Sequence, residues 1–285
     1  MQEEHVGVPA CDPTAVTRSG QSVFMSVFQT KIADQCRLIT VTWCKNLLLN
    51  GLSVSVSGPE GENQYTCKVE LKPWYFWRKQ GSKHFDIDGL AVDVFWDLKA
   101  AKFNGETEPS SEYYVAVVYN KEVVLLVGDL KKDAYRKTGC RPALTDPILV
   151  SRKEHVFGRK RFCSRIKLEH EKSKFHEISI ECKNKIGNGV EPEMEMRIDN
   201  QLVLHVKHLQ WKFRGNESLQ VNQTRVEVYW DVHDWLFSPG LRHALFIFKP
   251  VPSSSSPKGG GDSSERVSPG DSAEFCLFLY AWKIE

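Results

Sequence analysis

The sequence has no run of apolar residues approaching the roughly eighteen needed to cross a bilayer. It has no CxxC pair, no histidines at zinc-ligand spacing, no Gly-rich phosphate loop and no serine or cysteine in a nucleophile elbow. The N-terminal stretch MQEEHVGVPACDPTAVTRSG lacks the apolar centre of a signal peptide. Position 2 is Gln2 rather than glycine, and the terminal AWKIE carries no prenylation box. A formal net charge of +2 lacks the concentrated basic field of a nucleic-acid binder. These absences predict an intracellular protein with no transmembrane segment, no cofactor, no metal and no defensible catalytic residue. The cytoplasm is the expected compartment, with the plasma-membrane periphery or nucleus as alternatives.

What is present is strand-forming material. Eight Trp, eight Tyr and fifteen Phe supply bulk for a sizeable core. The eight cysteines are scattered, several within apolar alternations, where a reduced thiol packs as a small hydrophobe. In RLITVTW, Ile39, Val41 and Trp43 share one face, and LSVSVS repeats the pattern with Leu52, Val54 and Val56. YYVAVVYN and EVVLLVGD are nearly continuous apolar runs around Asn120-Lys121, which reads as a hairpin of central strands. HEISIEC, EMEMRI, LVLHVKHLQW, RVEVYWD, HALFIF and EFCLFLYAW extend the strand content to the C-terminus. Helix is scarce: DLKKDAYRKTG predicts one short helix, with Asp129 as N-cap and Gly139 as its stop.

The chain also repeats itself. VDVFWDLKAAKF (92–103) returns as VEVYWDVHDWLF (226–237), and the match extends without a gap over 74–103 against 208–237. Its identities include Trp77/Trp211, Gly81/Gly215, Trp96/Trp230 and Asp97/Asp231. CKNLLLNG (44–51) and CKNKIGNG (182–189) carry it further upstream, and the difference in offset falls at the loop-like GPEGENQ. The expected fold is therefore all-β, with two tandem pseudo-repeat sandwich- or barrel-like modules at 23–149 and 150–285. Residues 1–22 read as a disordered tail, and 250–273 as a Ser/Gly/Pro loop inserted between the last two strands.

Candidate sites are few. Trp77, Trp211, Trp96, Trp230, Asp97 and Asp231 read as structural repeat anchors, with Trp96 and Trp230 in the core and the two aspartates capping a following turn. Asp86 and Asp88 in HFDIDG suit a turn better than a calcium loop, because the second copy has Gln220 and Asn222 there. His205 and His208 are three apart, which places them on opposite faces of a strand. The connector 151–167 holds Arg152, Lys153, Arg159, Lys160, Arg161, Arg165 and Lys167, fit for an anionic lipid surface, an acidic protein face or nucleic acid, or else for a solvated edge strand. Ser256 and Ser268 precede proline and are candidate phosphorylation positions beside Lys258 and Arg266.

VFQTKIADQCRLITVTWCKN, VDVFWDL, EYYVAVV, VLLVGDL, SRKEHVFG, HEISIEC and the run from QWKFRGNE to VEVYWDVHDWLF resemble the plant family catalogued as domain of unknown function 868. The resemblance implies a plant intracellular protein, and for some relatives a scaffold role around Rho-type small GTPases and cytoskeletal proteins. It implies no functional residues. The leading expectation is a non-enzymatic protein-interaction or scaffold module. Anionic-lipid binding through 151–167 is one alternative; an enzyme or small-ligand binder near His233, Asp231 and Asp234 is the other.

Overall fold

The structure, a computed structural model, describes residues 22–45, 50–57, 64–71, 79–167, 175–186, 190–222, 224–251 and 275–284. Most of the expected tail and insertion, with Trp77, Ser256 and Ser268, lies outside the described residues. The chain divides into two compact units, the first ending at Ile148 and the second beginning at Leu149. Both are mostly β. Strand order is linear in every sheet, so none closes into a barrel.

In the first unit β1 (Ser22–Ile32), β2 (Gln35–Lys45), β3 (Asn50–Ser57) and β4 (Gln64–Leu71) form an antiparallel meander. A second sheet runs β5 (Gln80–Ile87), β6 (Leu90–Asp97), β7 (Tyr114–Tyr119) and β8 (Glu122–Gly128), with the two-residue β9 (Arg141–Pro142) parallel to β8. Several hairpins close on two residues with positive φ, the requirement of a type I′ turn: Ala33-Asp34, Asp88-Gly89 and Asn120-Lys121. The alternating residues Ile39, Val41, Trp43, Leu52 and Val54 meet Val92, Val94, Val115 and Val117 in one core. The other face of β7 (Tyr114, Ala116, Val118) is closed by α1 (Lys131–Thr138) through Ala134, Leu130 and Tyr135. Burial on both faces is why YYVAVVY does not alternate.

Gly139 ends α1 in the left-handed conformation, φ 65°, its N–H bonded to Tyr135 O. The expected N-cap is displaced. The helix starts at Lys131, and Asp129 Oδ1 instead accepts the Tyr113 N–H at 3.1 Å. The backbone N–H groups of Glu112 and Tyr113 hold the Asp129 carboxyl below its usual range.

The second unit comprises β10 (Ile148–Gly158), β11 (Arg161–Lys167), β12 (Phe175–Ile186), β13 (Val190–Ile198), β14 (Gln201–Val206), β15 (Arg214–Val221), β16 (Thr224–Asp231), α2 (His233–Phe237), β17 (Arg242–Val251) and β18 (Cys276–Lys283). β11–β14 form one antiparallel sheet. β15–β18 form another antiparallel run. Phe162, Ile178, Ile180, Met194 and Met196 pack against Val226, Val228, Trp230, Phe246, Phe248, Leu277 and Leu279 between them. The last strand pairs with β17 from Arg242↔Lys283 to Phe248↔Leu277, as the sequence suggests. It also pairs in parallel with β10, from Ser151↔Cys276 to Gly158↔Lys283, which the sequence does not announce.

Candidate functional site

The two Trp-Asp pairs occupy matching positions. Gly81 lies opposite Trp96 across β5–β6, and Gly215 opposite Trp230 across β15–β16. A Cβ at Gly81 would come within 2.9 Å of the Trp96 ring, and one at Gly215 would overlap the Trp230 ring more severely. The Leu98 N–H reaches Lys79 O at 2.7 Å, and the Val232 N–H reaches Phe213 O at 2.9 Å. Asp97 Oδ1 accepts the Lys99 N–H at 3.0 Å, and Asp231 Oδ1 the His233 N–H at 3.1 Å. Each carboxylate thus holds a turn two residues ahead. Only the second turn becomes a helix, α2; the first is a bend.

The strand expected over LVLHVKHLQW is shorter than its pattern suggests. LVLHVKHLQW does not continue as a strand: β14 stops at Val206, and His208 turns the chain with φ 55°. Leu209 takes the inward place and is fully buried, while Trp211 stands 81% exposed on the turn. Beside it Phe213 makes edge contacts with His233 (5.4 Å between centroids) and Phe237 (5.7 Å). Phe237 is 52% exposed at the end of α2, and Leu241 is exposed just beyond. Lys207, Lys212, Arg214 and Arg242, close to these residues in sequence, are exposed. The Arg214 guanidinium lies over Phe213 and binds Asp231 Oδ2 through Nε at 2.8 Å.

The acid–base cluster foreseen at this place is assembled differently from a triad. His233 Nδ1 contacts Asp234 Oδ1 at 3.1 Å, and that interaction holds the Asp234 carboxyl below its usual range. Ser238 Oγ donates to the same carboxylate oxygen at 3.4 Å. In a nucleophilic triad the imidazole stands between hydroxyl and carboxylate; here the carboxylate stands between the other two.

The basic connector is split between two sheets. Arg152 and Lys153 are successive residues of β10 and point to opposite faces. The Lys153 ammonium lies 5.9 Å from the Phe278 ring centroid. Arg159 and Lys160 form the exposed turn, and Arg161 and Arg165 face outward on β11, which ends at Lys167. Arg161 Nε donates to Ser179 Oγ at 2.8 Å. β11 borders its sheet, so the edge-strand reading suits it; β10 lies alongside β18 and does not fit that reading on this side.

On the face of β10, β18 and β17 opposite Leu277, Leu279 and Ala281, rings stack across strands. His155 lies on Tyr280 at 4.7 Å, and His243 against Trp282 at 4.6 Å. Trp282 Nε1 donates to His155 Nδ1 at 3.0 Å, so that nitrogen is an acceptor and the ring is neutral. His155 is 4% exposed, and burial, with His243 and Lys153 nearby, pushes its pKa down to about 4. Burial lowers His243 as well, against the opposing pull of Asp234 and Asp231.

Two further polar groupings were less legible. A pocket of about 370 Å³ opens in the first unit beside Asp97, with Gln80, Tyr114, Asp133 and Arg136 in its walls. Burial, then Asp97 and Asp133, raises the Tyr114 hydroxyl. In the second unit Glu193 and Glu195 lie within metal-binding reach of His205. Lys183 and Arg197 already bind Glu195, at 2.9 and 2.8 Å, and hold its carboxyl below the usual range. His208, expected on the opposite face, lies past the strand end and pairs with Glu191 at 3.3 Å, in the same glutamate row. Asp88 closes its hairpin and binds Arg37 at 3.0 Å, while Asp86 Oδ1 accepts the Gly89 N–H at 2.7 Å. No described helix is long and apolar enough to cross a membrane.

The model of a family described as a plant protein of unknown function, DUF868, matches residues 19–283. The chain belongs to this family. Membership of DUF868 covers both units, including the exposed turn at Trp211, and brings no assigned activity. Among curated proteins none matches the chain. A solved structure, kievitone hydratase from Nectria haematococca, is similar at 9% identity over 81% of this chain and 83% of that one, with a TM-score of 0.24. That likeness is too slight to bear on fold or chemistry.

Proposed function

We propose that this DUF868 chain is a non-enzymatic interaction module of the plant cell interior, built from two copies of one β module, and that it docks through the end of its second unit. The exposed aromatic group of Trp211 and Phe237 carries the reading. A tryptophan that could fill a core costs solubility when left in water, and such residues concentrate at contact surfaces. The matched Gly–Trp registers and turn bonds support a shared ancestry of the units. The exposed Trp211 supports a binding role for the second unit.

Proximity labelling in plant cells tests this. The full chain and its Trp211→Ala/Phe237→Ala variant are compared at equal abundance. The reading expects a set of neighbours that the variant loses. A Rho-type GTPase or cytoskeletal protein in that set would supply the partner implied by the resemblance. An identical set for both chains, or turnover of a metabolite by the purified protein, contradicts it.

A further inference from the structure

Resting on that reading, we infer that the occupant of the Trp211–Phe237 end is an anionic membrane surface. The exposed apolar side chains here come from separate segments. They project as separate tips: Trp211 from the β14–β15 turn, Phe237 from the end of α2 and Leu241 from the loop that follows. Contacts among Phe213, His233 and Phe237 gather these two segments at one end of the unit.

Two of the tips have basic neighbours in sequence. Lys212 adjoins Trp211 in sequence, Arg242 adjoins Leu241, and Lys207 precedes the same turn. Three acids lie nearby, each with a partner: Asp231 with Arg214, Asp234 with His233 and Glu191 with His208. Exposed positive charge therefore adjoins exposed apolar tips. That arrangement complements a bilayer, where an indole rests at the headgroup boundary and lysines and arginines meet lipid phosphates. A buried protein interface would bring its core residues together and deplete lysine around them. The connector 151–167 matches a bilayer less well, because its charges are split between faces.

Sedimentation of the full chain with vesicles tests the proposal. Phosphatidylcholine vesicles are compared with vesicles that also contain phosphatidylserine, at low and high salt. The expected result is binding to the anionic vesicles that weakens with salt, is abolished in Trp211→Ala/Phe237→Ala and falls about tenfold in Lys212→Glu. An unchanged melting temperature of each variant shows that folding is not the cause. Equal binding by wild type and double variant overturns the proposal, as does absence of binding to anionic vesicles at low salt. If vesicles fail but the double variant still loses its labelled neighbours, the membrane assignment falls and the docking surface stands. If neither assay separates the two chains, the surface itself is misassigned.

Discussion

Gly215→Ala puts the most informative methyl group into this protein. The new Cβ would lie within 2.8 Å of both Cε2 and Cη2 of Trp230, and nearer still to Cζ2. The indole cannot tilt freely, because its Nε1 donates to Lys212 O at 3.0 Å. Overpacking of this kind costs about 1–3 kcal/mol. Gly81→Ala meets only Cζ2 of Trp96 that closely, at 2.9 Å, with the next atoms at 3.3 and 3.4 Å. A shift of a few tenths of an ångström relieves it, and the lower unfolded-state entropy of alanine returns about 0.4–1 kcal/mol. The expected losses are about 2 kcal/mol for Gly215→Ala and under about 1 kcal/mol for Gly81→Ala. Urea unfolding followed by tryptophan fluorescence measures both. Adding Trp230→Leu to Gly215→Ala should cost less than the sum of the single changes, because the clash is shared. Strict additivity, or a neutral Gly215→Ala, would refute the glycine–tryptophan contact as the reason for the residue pair.

Trp230→Ala should lose about 3–5 kcal/mol, whereas Trp211→Ala should stay within about 0.5 kcal/mol of wild type, a contrast that thermal melting reads directly. Stopping the chain at residue 273 removes β18 and the buried Leu277, Leu279 and Trp282, at about 1.5–3 kcal/mol each; soluble yield and a cooperative melt should both be lost. His155 gives a pH dependence. Its folded pKa, about 4, lies below the ordinary 6.5, so the stability of the neutral ring is fully present above pH 6.5 and is lost between pH 6.5 and about 4. The loss amounts to about 3 kcal/mol, His243 adds to it in the same direction, and His155→Phe should flatten the fall in denaturation midpoints across that window. Gly139→Ala forces a side chain into φ 65° at the end of α1 and should cost about 1 kcal/mol by the same assay, although its Cβ would meet nothing.

Strands that alternate or run apolar were legible because their burial is written in side-chain type. β2, β3, β6, β7, β16 and β17 belong to this class. β5 and β15 were not. QGSKHFDI buries only Ile87, and RGNESLQV buries only Leu219 and Val221, since each borders its sheet and needs little apolar surface. The place of β10 was hidden because its partner β18 is far away in sequence and parallel pairing leaves no local turn signal. The repeat located Trp211 by alignment with Trp77, but alignment is blind to which side of a turn a residue takes. The charged neighbours Lys207, His208 and Lys212, with Leu209 available for the core, were the signal that Trp211 faces water.

A photoreactive amino acid placed at position 211, and separately at position 144, tests the docking surface most directly. Leu144 is 95% exposed in the first unit and serves as the matched apolar control. Irradiation of plant cells expressing each chain should give covalent adducts at 211 well above those at 144, with membrane lipid among them. Equal adduct formation at the two positions would contradict the assignment of the Trp211–Phe237 end as the surface through which this protein acts.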